Sequence, residues 1–286
     1  MRKPRFPHPV GMQWPGERKL AFSIGVPFEA FALRSQYAQK IKPGKRDIFS
    51  LSFADYGWKS GVWRILDLLD EMGVKATFTP SGAAAQAHPH VLAAAHAEGH
   101  ELAGHGWVND QDFSELPFDE EAALIRKCAD AIEAASGVRP RGWVSPGNSG
   151  SENTPDLLAR EGFLWQGDDA SDDLPFVTHT KNGPLVVMPK TNIPHNDLIM
   201  WLVPSNSPDV MWDNFKQTFD QLWAEGLAGS PKWIELTLHS HVAGRPSLIP
   251  TVRRCIQYAM EHRDVWFARK FEIADCAMRL HQKARA

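Results

Sequence analysis

The chain has 286 residues, of which 43% are hydrophobic and 23% charged, the balance of an ordinary soluble globular protein. A net charge of −3 gives no basic field to gather nucleic acid or an anionic membrane surface, so partners must be argued from sites. Cys128, Cys255 and Cys276 are too few and too scattered for a disulfide framework or a C-x-x-C metal pair.

In chain order, the opening run MRKPRFPHPVGMQWPGERKL lacks the apolar core of a signal peptide, and no 18-residue apolar run follows, so a cytoplasmic protein is expected. Residues 1–19 read as an N-terminal arm. Leu20 to Phe28 (LAFSIGVPF) reads as a buried strand. Residues 30–60 form a long irregular stretch, and such connections commonly cover binding sites.

Val62, Ile65, Leu66, Leu69 and Met72 then mark one face of a helix that Gly73 ends. Strand VKATFTP (Val74 to Pro80) follows, then a helix over His88 to Glu98 and a short strand over His100 to Gly104. A helix over Phe118 to Ala135 carries Ile125, Cys128, Ala129 and Ile132 on one face. Strand RGWVS (Arg141 to Ser145) leads to Thr154-Pro155, an N-cap followed by a first-turn proline for TPDLLAREG. Strands at Phe163 to Gln166 and Pro184 to Pro189 precede a helix over Asp209 to Glu225. Strand KWIELTLH (Lys232 to His239), a helix over Leu248 to His262, strand Val265 to Ala268 and a last helix from Phe271 close the chain.

About eight strands, apolar on both faces and separated by helices, predict an α/β fold with a parallel sheet, closed as a barrel or open and doubly wound. Either way the chemistry belongs at the carboxyl ends of the strands. Those ends read Glu29; Pro80-Ser81; His105-Gly106-Trp107; Ser145-Pro146-Gly147-Asn148; Gly167-Asp168-Asp169; Pro189-Lys190; and His239-Ser240-His241. Along KWIELTLH, alternation puts Glu235, Thr237 and His239 on one face with His239 uppermost. A structural role competes for each candidate: Glu29 could cap a helix or pair with Arg64, and His105 could be a core histidine. Glu235 could be a buried carboxylate satisfied by hydroxyl and Trp donors.

The segments Trp63–Gly82, His88–Trp107 (HPHVLAAAHAEGHELAGHGW), RPRGWVSP, TPDLLAREGF, LHSHVAGRPS and VWFARKFEIAD resemble, in order, the motifs of the polysaccharide deacetylase (NodB-homology) superfamily. The resemblance implies a single domain over 1–286 folded as a distorted, incomplete (β/α)7-type barrel. DYGWKSGVWR, AGHGW, GWVSP and LHSHVAGRP are closest to its allantoinase-like and cyclic-imidase-like branch, which implies a homo-oligomer, often a tetramer. The chain departs from the family at its metal site. Pro27-Phe28-Glu29-Ala30 offers one carboxylate where the family has an adjacent Asp pair. His105 is present, yet Asn109 stands where a second histidine is usual. The arginine that usually precedes the proline of Trp143-Val144-Ser145-Pro146 is also missing, while His239 is kept.

A stable divalent site needs at least three good ligands, and Glu29 and His105 make two. The expectation is therefore a hydrolase of non-peptide carbon–nitrogen bonds that requires no cofactor, a weakly bound zinc on Glu29 and His105 being the alternative. Without a Lewis acid the substrate has to be intrinsically more reactive, as cyclic imides and ureides are, because their ring nitrogen shares its lone pair between two carbonyls. Glu29 is the expected general base, His239 the general acid and His105 a water- or oxyanion-binding group. Trp107, Ser145, Asn148, Asp168 and Asp169 are the expected substrate contacts. The competing readings are a metal-dependent deacetylase of N-acetyl sugars and a non-catalytic binding protein.

Overall fold

A computed structural model describes residues 12–38, 44–202 and 205–285. Most of the expected N-terminal arm, and residues 39–43 of the expected long loop, lie outside the described residues. Strand β1 (Leu20–Phe28) is buried along its whole length. It is flanked in parallel by β8 (Lys232–Thr237) on one edge and β2 (Thr77–Pro80) on the other, and β3 (Glu101–Leu102) extends the sheet beyond β2. A second sheet runs β4 (Gly142–Trp143), β5 (Trp165–Gln166), β7 (Gly183–Val187).

A bridge from Gly104 to Trp143 joins the two sheets, giving a curved row of seven parallel strands, β8-β1-β2-β3-β4-β5-β7, among the described residues. Between β7 and β8 the ring is closed by irregular chain. Thr191 Oγ1 accepts the Glu235 N–H at 3.1 Å, and Asn196 bridges to Thr237. Strand β9 (Val265–Phe267) pairs with the start of β1. The expected distorted, incomplete (β/α)7-type barrel is the observed fold.

Helices α2 (Val62–Met72), α3 (Gly82–Ala87), α4 (Pro89–Ala97), α5 (Phe118–Ser136), α6 (Thr154–Arg160), α7 (Pro208–Leu227), α8 (Ile249–Met260) and α9 (Lys270–Lys283) wrap the sheets. Their apolar stripes, such as Val62, Ile65, Leu66 and Leu69 on α2, are buried against the strands. All three cysteines are free and buried. Among the described residues no helix is long and apolar enough to cross a membrane.

Three expectations need correction. The stretch 30–60 is not irregular throughout: α1 (Ile48–Tyr56) begins at Asp47, whose side chain accepts the Ser50 N–H, and runs through a π-helical turn (Gly57–Gly61) into α2. That turn needs glycine because it lies against the chain after His239; a Cβ on Gly61 would sit 1.9 Å from the Ser240 carbonyl oxygen. Strand β6 (Phe176–Thr180), antiparallel to β7, has no counterpart in the sequence reading, since it is only half-buried and lacks an apolar run. Thr154 is not the N-cap of α6. Asn153 is, and the Thr154 hydroxyl bonds to Glu121 instead.

Candidate active site

Strand β1 ends by delivering Glu29 into a cavity of about 240 Å³ at the carboxyl ends of the strands. The loops there are stitched together. The Ala30 N–H donates to Ser81 Oγ at 2.9 Å, Asn109 N–H to the Ala30 carbonyl at 2.8 Å, and Gly82 N–H to the Gly106 carbonyl at 2.8 Å. Glu29 is therefore held by the ends of three neighbouring strands rather than by its own loop.

Its two oxygens have different company. Oε1 lies 3.3 Å from His105 Nε2 and 3.8 Å from His239 Nε2. Oε2 accepts from Gln36 Nε2 at 3.0 Å and is 3.9 Å from His241 Nδ1. The His105 ring is oriented by its other nitrogen. Nδ1 is 2.7 Å from the Val144 carbonyl, which can only accept, so Nε2 is the atom turned to Glu29. Arg64, the alternative partner for Glu29, instead bonds Tyr56 and the Gly244 carbonyl.

His239 has a second carboxylate behind it. Asp197 Oδ1 is 2.6 Å from His239 Nδ1, and its Oδ2 accepts the backbone N–H of His239 at 2.7 Å and of Ala243 at 3.0 Å. Asp197 is wholly buried. Glu29, His239 and Asp197 thus form a line of acid, imidazole and acid.

The electrostatics follow from that line. Burial raises the pKa of Glu29, but the charge of His239, the His105 hydrogen bond and the other histidines outweigh it and bring it down to about 2. Burial pushes His239 the other way, towards neutrality. Asp197 and Glu29 outweigh it too, so its proton affinity is raised. Burial raises Asp197 against the pull of His239. His241, desolvated between Phe31 and Phe53, is lowered to about 4 and is neutral near pH 7.

A metal ion fits this set poorly. Among the described residues no group of three His, Cys, Asp or Glu side chains is placed to hold one. Asn109 brings a neutral amide to the cavity.

The other expected contacts divide. Asn148, in a left-handed conformation (φ 60°), lines the cavity. Trp107 does not; it packs on Gly82 under the Lys127 ammonium, 3.5 Å from the ring centroid. Ser145 is fully buried behind the wall, its N–H donating to Asp168 Oδ1 at 2.8 Å and its Oγ accepting from Trp143 at 3.0 Å. Asp168 is engaged there, and Asp169 caps Ser171 in a turn at 2.8 Å. Neither aspartate lines the cavity. Glu235 does, paired with Lys270 Nζ at 2.5 Å rather than with hydroxyls or Trp donors.

Asp197, Gln36, Asn192 and Lys270 belong to the site without having been expected. Asp197 lies in PHNDLIMWL, where a lone carboxylate amid apolar residues is the one available signal.

The family model described as polysaccharide deacetylase matches residues 41–164. The crystal structure of a probable polysaccharide deacetylase from Pseudomonas aeruginosa PAO1 has a TM-score of 0.85 and 31% sequence identity, covering 94% of each chain. That of the PuuE allantoinase has a TM-score of 0.85 and 30% identity, covering 94% of this chain and 93% of the other. The peptidoglycan deacetylase of Helicobacter pylori is 22% identical over 247 residues, spanning 75% of this chain and 83% of that protein.

Proposed function

Since the chain belongs to the polysaccharide deacetylase family, we propose that it hydrolyses a carbon–nitrogen bond other than a peptide bond, opening a small cyclic amide, imide or ureide without a tightly bound metal. The observation that carries this reading is the convergence of Glu29 Oε1 with His105 Nε2 at 3.3 Å and His239 Nε2 at 3.8 Å in a small cavity.

Glu29 takes a proton from a water held beside His105, and the water oxygen attacks the ring carbonyl. His239, whose proton affinity Asp197 and Glu29 raise, gives its proton to the ring nitrogen as the C–N bond breaks. Each proton transfer is worth roughly 10²–10⁴-fold. The two steps are coupled by charge. As His239 loses its proton, the attraction that keeps Glu29 a weak base disappears, so Glu29 holds the abstracted proton better. The side-chain amide of Asn148, which lines the cavity, is the group for the developing oxyanion. Asn109, whose buried Oδ1 has no donor among the described residues, offers an acceptor for a ring N–H.

The test is turnover of hydantoin, succinimide, dihydrouracil and allantoin beside N-acetylated sugars. The proposal expects ring opening of at least one cyclic compound and no deacetylation; deacetylation alone would refute it.

A further inference from the structure

Below Glu29 the cavity descends to a charged floor. Glu235, Thr237 and His239 line it from one face of β8, and four residues of strand put Glu235 roughly 13 Å below His239. Gly25 of β1 makes room for this carboxylate, since a Cβ there would lie 2.4 Å from Glu235 Oε1. Lys270 reaches Glu235 from the start of α9, and both side chains are almost wholly buried. That ion pair is internally neutral.

Lys190, just beyond β7, lines the same cavity. Its ammonium makes no hydrogen bond or ion pair among the described residues. Burial and the neighbouring Lys270 charge lower its proton affinity, while Glu235 and Asp168 act in the opposite sense without touching it. The cavity thus presents one ammonium without a contact partner, and it is lined as well by Thr237 and by Asn192, whose amide donates to the Thr237 hydroxyl. Lys190 is half-buried, and an anion brought by a ligand gives its ammonium charge-assisted hydrogen bonds that nothing among the described residues supplies.

We propose that the substrate is an acid-substituted ring, with a carboxylate at the end remote from the scissile bond, and that Lys190 receives this carboxylate. The inference rests on the ring-opening reading and names its substrate class. A cavity of about 240 Å³ holds one such small molecule.

The probes are hydantoin-5-acetic acid and its uncharged amide. Their Kd values are measured by titration calorimetry on the Glu29→Gln enzyme, which holds ligand without turning it over, and on Glu29→Gln combined with Lys190→Met. Melting temperatures check that both variants are folded, and Lys190→Gln replaces Lys190→Met if the latter is not. The acid is expected to bind roughly 10- to 100-fold more tightly than the amide, the range of one hydrogen bond to a charged group, and the gap to close without Lys190. Equal binding of acid and amide, or a preference that survives loss of Lys190, overturns the inference. Ring opening of the same two compounds by the unmodified enzyme is scored separately. Lys190-dependent binding without ring opening would leave the anion seat standing and remove the hydrolase reading.

Discussion

Glu29 and Glu101 are both buried carboxylates of the same sheet, and they stand at opposite ends of it. Glu101, at the start of β3, accepts from Thr77 Oγ1 at 2.6 Å, Trp165 Nε1 at 3.0 Å and the Phe271 N–H at 3.0 Å. Burial nevertheless raises its pKa. Glu29, at the end of β1, has one hydrogen bond within 3.0 Å, from Gln36, and faces His105 and His239 at longer range across a cavity. Its pKa is lowered to about 2. The saturated carboxylate ties β2, β5 and α9 together, whereas the other turns Oε1 towards two histidines at 3.3 and 3.8 Å across a cavity. In barrels of this kind, carboxyl ends of strands carry chemistry and amino ends carry stability. Partner geometry, more than burial, tells these two residues apart.

The comparison breaks most sharply on substitution. Glu29→Gln should reduce turnover by roughly 10²–10⁴-fold while leaving the melting temperature unchanged or higher. Glu101→Leu should do the reverse, orphaning three buried donors at about 1–3 kcal/mol each and lowering the denaturation midpoint, with the folded fraction still active. Chemical denaturation beside steady-state kinetics distinguishes the outcomes. A dead, stable Glu101→Leu would erase the contrast.

A smaller effect is expected at Asp197. Its charge helps to raise His239, so the unmodified enzyme loses activity as pH rises through the elevated His239 pKa. Removing that charge in Asp197→Asn lowers the pKa and moves the alkaline limb of the pH–rate profile to lower pH. An unmoved limb would mean that another group donates the proton.

A separate effect is on acid stability. Burial lowers His100, His195 and His241 to about 4. Between an unfolded value near 6.5 and that level, the unfolded chain binds protons that the native chain refuses, so stability falls as pH drops from about 6.5 to 4. Glu29 adds to the loss below about 4.5, because the native state keeps it ionised down to about 2. Thermal melts across that range should descend steadily; a flat profile would contradict the burial of these rings.

Much of this was legible in the sequence. Strand β1 is a nine-residue apolar run and α2 a clean 3.6-residue stripe, so local pattern sufficed for both. Glu29, His105 and His239 stand at strand ends, where the fold type says to look. Asp197 and Gln36 sit in irregular chain, and their distance from His239 or Glu29 is set only by tertiary folding. Trp107 and Ser145 show the opposite failure: both adjoin a strand end, yet their side chains turn into the wall rather than the cavity. A strand end names the level of the barrel, and the side chain's facing has to come from coordinates.

The central claim is that Glu29, His105 and His239 open the ring without a tightly held cation. It is tested most directly by the ring-opening rate after exhaustive chelation, with the metal content of the same sample measured by atomic spectroscopy. The account predicts an undiminished rate at negligible metal content. A rate that disappears on chelation and returns with one equivalent of zinc would contradict it.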